Sequence, residues 1–334
     1  MFKAKTYVGH KLCWPEDLVI NSLWAWGRGL GFSKEHGIIS TAYGVYRLRE
    51  PHKHLWQYLN YTLRSSVYQW ELQVRSKGVW KSRLQLTDAS FFDMPILMPP
   101  KEDAELIVRY LHALDAKVKR YIRTKRTLIA RLQEQKQAII QRAVTRGLDP
   151  NAKLKPSGVE WLMAASYIGH KLCWPEDLVI NSLWAWAKGF GFSKHHGIVS
   201  TAYSVYRLRP QYKRLWRYLD VLLRSGAYDW DFTVRSRGVW KSRLQLTDSS
   251  FLDMRMILPS AKEADEIVEY IRTETKDLDE ALSRVNKEIE VLQEYHTRLI
   301  SDVVTGAVDV REAAKAIPEW YPWRIPWTSS GTGS

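Results

Sequence analysis

Arg75, Lys77, Lys81 and Arg83 fall within nine residues of one another. The same pattern returns as Arg235, Arg237, Lys241 and Arg243. Cations at this density suit a run of DNA phosphates, because neutralising phosphates with Lys and Arg supplies most non-specific nucleic-acid affinity. The plainer reading is a solvated basic turn followed by a strand. A second basic group lies in Asn21–Gly37 (NSLWAWGRGLGFSKEHG), with Arg28 and Lys34 among Trp24, Trp26 and Phe32. Its copy holds Lys188 and Lys194. Cations interleaved with aromatics suit phosphate contacts and guanine edges, although Trp24 and Trp26 read equally well as core. The glycines here do not form a nucleotide-binding loop. The GxxxxGK[ST] spacing is missing, and Gly27 is replaced by Ala187 in the copy.

Groups for bond-breaking chemistry are not assembled. His36 and His196 follow loops whose neighbours change from Glu35 to His195, and they read as surface histidines. Asp88 and Asp93 lack the partners of a nuclease metal site. No GxSxG, Walker, HExxH or (N/D)PP(Y/F) tetrapeptide occurs. We therefore expect no catalytic residue, no metal and no cofactor on this chain. Cys13 and Cys173 are one position in two copies, which gives neither a disulfide framework nor a zinc site and suits a reducing cytosol. The first residues lack the apolar core of a signal peptide, and no 18-residue apolar run would span a membrane. A cytoplasmic protein is expected.

The elements that position these cations are duplicated. Residues 11–20 (KLCWPEDLVI) recur unchanged at 171–180, and 62 of the 90 positions from 11 to 100 match those 160 further on. Each copy opens with a mixed segment. Leu18–Ile20, one or two stretches of Gly37–Arg47, and Met94–Leu97 read as strands, and Leu55, Leu59 and Leu63 have helical spacing. Each copy closes with a long helix free of proline. Apolar residues step by threes and fours through Leu111, Leu114, Val118, Tyr121, Leu128 and Leu132. The second copy steps through Ile271, Leu278, Val285 and Leu292. Such spacing over several heptads is a coiled-coil seam. Residues 101–146 carry 12 Lys/Arg against 5 Asp/Glu; residues 261–306 carry 6 against 12. Opposite charge favours pairing of the two helices with each other. The chain's net charge is +14, so the surplus sits mainly outside the rod.

The expected fold is α+β: two homologous mixed α/β lobes joined by two long helices forming an antiparallel coiled coil. The divisions are 1–100, a first lobe; 101–146, a helix; 147–166, a linker broken by Gly and Pro; 167–260, a second lobe; 261–306, a second helix; and 307–334, a Trp- and Pro-rich tail.

Both plan and wording resemble the specificity subunits of type I restriction–modification enzymes. The resemblance is carried by EDLVINSLWAW (Glu16–Trp26), GIISTAYGVYR (Gly37–Arg47), SKGVWKSRLQL (Ser76–Leu86), Leu128–Leu162 and VVTGAVDVREAA (Val303–Ala314). It implies that each lobe is a target-recognition domain reading half of a split DNA site. It also implies that the helices dock two methyltransferase subunits and that restriction subunits join them. S-adenosylmethionine and ATP then belong to those partners. Near-identical lobes on an antiparallel rod imply a near-palindromic site with a spacer. The family's domains usually carry a further stretch before the strand that begins near Leu18, so both lobes are expected to be shortened. The competing expectations are an assembly scaffold without sequence selection and an enzyme acting alone on nucleic acid.

Overall fold

The computed structural model describes residues 10–80, 83–149, 156–163, 166–167, 170–238, 240 and 243–318. The first lobe contains β1 (Lys11–Cys13), β2 (Leu18–Asn21), β3 (Leu30–Phe32), β4 (Gly37–Ile39) and β5 (Tyr43–Tyr46). These are followed by α1 (Trp56–Arg64), α2 (Ser66–Arg75) and α3 (Asp88–Phe92), and then by the long α4 (Lys101–Arg146). The second lobe contains β6 (Pro156–Gly158), β7 (Trp161–Met163), β8 (Ser166–Tyr167), β9 (His170–Cys173), β10 (Leu178–Asn181), β11 (Phe190–Phe192), β12 (Gly197–Ser200) and β13 (Tyr203–Leu208). It continues through α5 (Trp216–Arg224), α6 (Asp229–Arg235), α7 (Asp248–Leu252) and β14 (Arg255–Ile257). The chain then forms the long α8 (Ala261–Val304) and the short α9 (Arg311–Lys315).

The chain divides into two compact units, residues 1–125 with 286–334 and residues 126–285. Each unit therefore joins one lobe to one half of α4 and one half of α8. In the first unit an antiparallel sheet runs β3-β2-β5, with β1 paired to β4 alongside. Alternation buries Leu18 and Ile20 beneath Leu63, Leu72, Leu86 and Phe91. A second cluster sets Leu55, Tyr58 and Leu59 against Val108 and Leu111 of α4 and Leu299, Val303 and Val304 of α8. The helix halves run antiparallel. Lys125 pairs with Glu288 at 2.6 Å, and Nε2 of His296 meets Asp115 at 2.7 Å. Tyr61 also donates to Asp115 (3.0 Å), and its phenol is pushed up first by burial and then by that carboxylate.

In the second unit the sheet is β11-β10-β13-β7. Leu178, Ile180, Leu219, Leu222 and Leu223 bury against Ala143 and Val144 of α4 and Ala264, Ile267 and Ile271 of α8. Lys136 pairs with Asp279 across the helix halves, again antiparallel. The charge asymmetry of the two helices thus resolves into named ion pairs, and the structure has the α+β lobes and paired long helices that the sequence leads us to expect.

Three details differ from expectation. Residues 156–158, 161–163 and 166, read as linker, lie in strands, the last of them running on into Tyr167 of the second lobe. Trp161 is buried against Phe251 (5.5 Å) and Tyr206 (6.2 Å), so an apolar pair hidden among Gly and Pro joins the second core. Met94–Leu97 is not a strand: Met94 lies in a bend, and among the described residues no strand pairs with the segment. The equivalent Arg255–Ile257 is a strand because β6 lies beside it. Tyr121 and Leu128, in step with the seam, are 45% and 40% exposed, and neither belongs to the core of the lobe in its own unit. Of the other seam positions, Leu111, Val118, Ile271 and Val285 are buried, and Leu114, Leu132, Leu278 and Leu292 are half-buried.

Each lobe is fixed at its entrance by a buried carboxylate. Asp17 is 1% exposed, takes a two-pronged bond from Arg47 (2.7 and 2.8 Å) and accepts from the Trp14 amide (2.9 Å). Asp177 repeats this with Arg207 and Trp174. The Arg47 bond holds the Asp17 carboxyl below its usual 3.8. A depressed carboxyl pKa adds stability that is present above the unfolded value and lost as pH falls through the folded one. We expect Asp17→Asn to cost about 1–3 kcal/mol at neutral pH. The difference from wild type should close on acidification below 3.8. A difference in urea midpoints that stays constant from pH 7 to pH 2 would refute this account.

Candidate nucleic-acid interface

The Arg75–Arg83 cluster is built on a narrow hairpin. Lys77 and Gln85 exchange backbone bonds of 2.9 and 3.0 Å, and the Arg83 amide donates to the Trp80 carbonyl at 2.7 Å. A Cβ on Gly78 would sit 2.4 Å from the Arg83 carbonyl oxygen, so only glycine lets the two limbs approach this closely. One limb is anchored by buried Ser76, whose hydroxyl donates to Leu72 of α2 (2.7 Å). The other is anchored by buried Leu86, whose amide donates to Ser22 (2.9 Å). The hairpin base is thus tied to the loop after β2. In the second lobe Arg237–Gln245, Arg243–Trp240, Gly238, Ser236–Phe232 and Leu246–Ser182 make the same contacts.

The cations separate into two kinds. Lys77, Arg83, Arg237 and Arg243 are exposed and have no ion-pair partner among the described residues. Arg75 is half-buried and held by Glu71 (2.9 Å). Arg235 lies 3.6 Å from both Asp231 and Asp253. These two brace the hairpin root rather than face outward. Lys81 and Lys241 lie outside the described residues.

In the loop after β2, the Trp24 carbonyl accepts from Gly29 (2.9 Å), and a side chain at Gly29 would strike that carbonyl at 2.9 Å. Trp24 is exposed and stacks on half-buried Trp26 at 5.4 Å, and neither indole belongs to the core cluster of its lobe. Arg28 and Lys188 adopt left-handed backbone (φ 66° and 62°), a region that favours glycine. Their side chains reach Gln69 (2.6 Å) and Asp229 (3.2 Å). Lys34 and Lys194 are exposed on the following turn, which is fixed through Ser33 to Asp17 and through Ser193 to Asp177. Among the described residues no hydrogen bond or ion pair ties that turn to the hairpin.

A cation kept where glycine is easier costs stability. We expect Arg28→Gly to raise stability by about 1 kcal/mol by relieving left-handed strain. Arg28→Ala should bring no such gain. Equal melting temperatures for the two variants would remove the strain argument.

The sequence did not single out the exposed tips. Val79 is 91% exposed, Trp80 69% and Trp240 69%. Trp70 and Trp230, on α2 and α6, are also exposed (62% and 76%). The available signal was Gly-Val-Trp-Lys-Ser-Arg repeating unchanged. Among the described residues no group of three or more His, Cys, Asp or Glu is placed to hold a metal. None of their helices is long and apolar enough to cross a membrane.

No family model matches the sequence, and no curated protein matches it. Solved structures do. One is a chain from a study of complex assembly and conformational transition of the type I R-M system. It matches with TM-score 0.64 and 15% identity over 89% of this chain and 84% of that one. The HsdS subunit from Thermoanaerobacter tengcongensis matches at TM-score 0.43 and 15% identity, over 90% and 82%. The type I restriction-modification S subunit from M. genitalium matches at 0.37 and 10%, over 88% and 84%. On the first of these matches, the chain has the fold of a chain from the type I R-M system.

Proposed function

We propose that this protein is the DNA-specificity subunit of a type I restriction–modification complex. Each lobe reads one half of a split, near-palindromic site in double-stranded DNA. The paired helices dock two methyltransferase subunits, and restriction subunits join that core. The chain holds no cofactor and performs no bond chemistry; S-adenosylmethionine and ATP act on the partners, in the cytoplasm. The observation that carries this reading is the same anchored hairpin in both lobes, with outward cations at Lys77 and Arg83 and at Arg237 and Arg243. The shared fold supports it.

The test is to co-express the chain with a type I methyltransferase subunit from the same genome and map N6-methyladenine across the host DNA. One split motif with matching halves is the expected result. A complex that co-purifies but methylates no motif would favour the scaffold reading and overturn this one.

A further inference from the structure

We infer that each hairpin tip is an apolar wedge that inserts at a base step of duplex DNA, with Trp80 and Val79 entering from the first lobe and Trp240 from the second. This rests on the DNA-binding reading above and adds a mode of contact that the cations alone do not supply.

Three observations converge on the tips. Val79 and Trp80 are among the most exposed large apolar side chains of the described residues, and Trp240 matches Trp80 at 69%. Exposed apolar groups at the end of a projecting element have a use that solvation alone does not explain. The hairpin bases are also fixed. Paired backbone bonds, a glycine that permits close approach and two buried anchors per hairpin leave little of each base to order on binding. Finally, the hairpin's own charge has one sign. From Ser76 to Thr87 and from Ser236 to Thr247 there are three basic residues and no acidic one. An apolar tip flanked along the chain by cations complements a ligand that is polyanionic outside and apolar between its stacked layers. Duplex DNA has that chemistry. Side chains inserted at base steps partly unstack and kink the duplex while neighbouring cations hold phosphates. The arrangement at Lys77 and Arg83 on either side of the Val79–Trp80 tip provides both parts.

The experiment uses the full chain and circular plasmid DNA, which needs no knowledge of the target site. Binding is followed by filter retention over a range of salt. Unstacking is read as a shift in linking number after relaxation by a topoisomerase. Wild-type protein should bind in a salt-dependent way and shift the topoisomers. Trp80→Ala with Trp240→Ala should bind about tenfold or more weaker and, at saturation, leave the topoisomers as in free DNA. Trp80→Phe with Trp240→Phe should restore most of the shift. If the alanine variant shifts topoisomers like wild type, the wedge is wrong and the DNA reading stands. If wild type binds DNA without salt dependence or not at all, both fail. If the alanine variant keeps full DNA affinity but no longer retains a co-expressed methyltransferase, the tips contact protein and the wedge is overturned.

Discussion

Leu111→Asp should abolish the cooperative unfolding of the first unit, and Ile267→Asp that of the second. Both side chains are fully buried, Leu111 among Leu55, Leu59 and Val303, and Ile267 among Leu219, Leu222 and Val144. Truncation alone, as in Leu111→Ala, costs about 2–5 kcal/mol through lost burial and a residual cavity. Aspartate adds an unpaired carboxyl that must either be buried charged or take up a proton, at several further kcal/mol. A domain holds only about 5–15 kcal/mol in total, so little is left. Leu128→Asp is the contrasting case. It follows the same heptad step but is 40% exposed, and a substitution there should cost within about 1 kcal/mol. Calorimetry decides. Similar melts for Leu111→Asp and Leu128→Asp would mean that the lobes do not close over the helices at Leu111.

That contrast shows where the sequence was informative. Apolar stepping located both long helices, and opposite net charge anticipated that they pair, as Lys125–Glu288 and Lys136–Asp279 now do. Periodicity alone could not say which steps lie under a lobe. Leu111 and Leu128 look alike in sequence, and only the lobe contacts separate them. The short strands β6 and β7 were hidden for a related reason. A three-residue strand has no period to detect, and its partners, β14 and β13, lie far along the chain.

The candidate interface was legible in composition and not in role. Four cations in nine residues looked equivalent, yet Arg75 is spent on Glu71 while Lys77 and Arg83 point outward. Helical i,i+4 spacing from Glu71 gives the pairing in retrospect, since such residues meet on one helix face. The Trp24–Trp26 pair was undecidable because an exposed stacked indole and a core indole have the same neighbours in sequence. The duplication held a clue of a different kind. Ser76 to Leu86 is unchanged in its copy except for Lys77, replaced by Arg237 with its charge kept. Close packing at Gly78 and anchoring at Ser76 and Leu86 give a structural reason for part of that sameness. They give none for the exposed Val79 and Trp80.

Replacing Lys77, Arg83, Arg237 and Arg243 together by alanine should flatten the salt dependence of DNA binding. Each phosphate neutralised releases counterions, and the slope of log K against log salt is about −0.9 per contact on B-DNA. Four lost contacts make the slope shallower by roughly 3 to 4. Between 50 and 200 mM salt, wild type should therefore lose on the order of a hundredfold more affinity than the variant. The variant should fold normally, because none of the four side chains is buried. A matched control separates position from net charge. Lys117, Arg120, Arg131 and Arg142 are exposed on α4, and their replacement removes the same four charges from the rod. If the hairpins face the duplex, the rod variant keeps nearly the wild-type slope, since exposed charges beyond about 8–10 Å of a phosphate are screened. Equal flattening in both variants would show that DNA follows the rod. A wild-type slope in the hairpin variant would move the phosphate contacts elsewhere in the lobes, first to Lys34 and Lys194 on the neighbouring exposed turns.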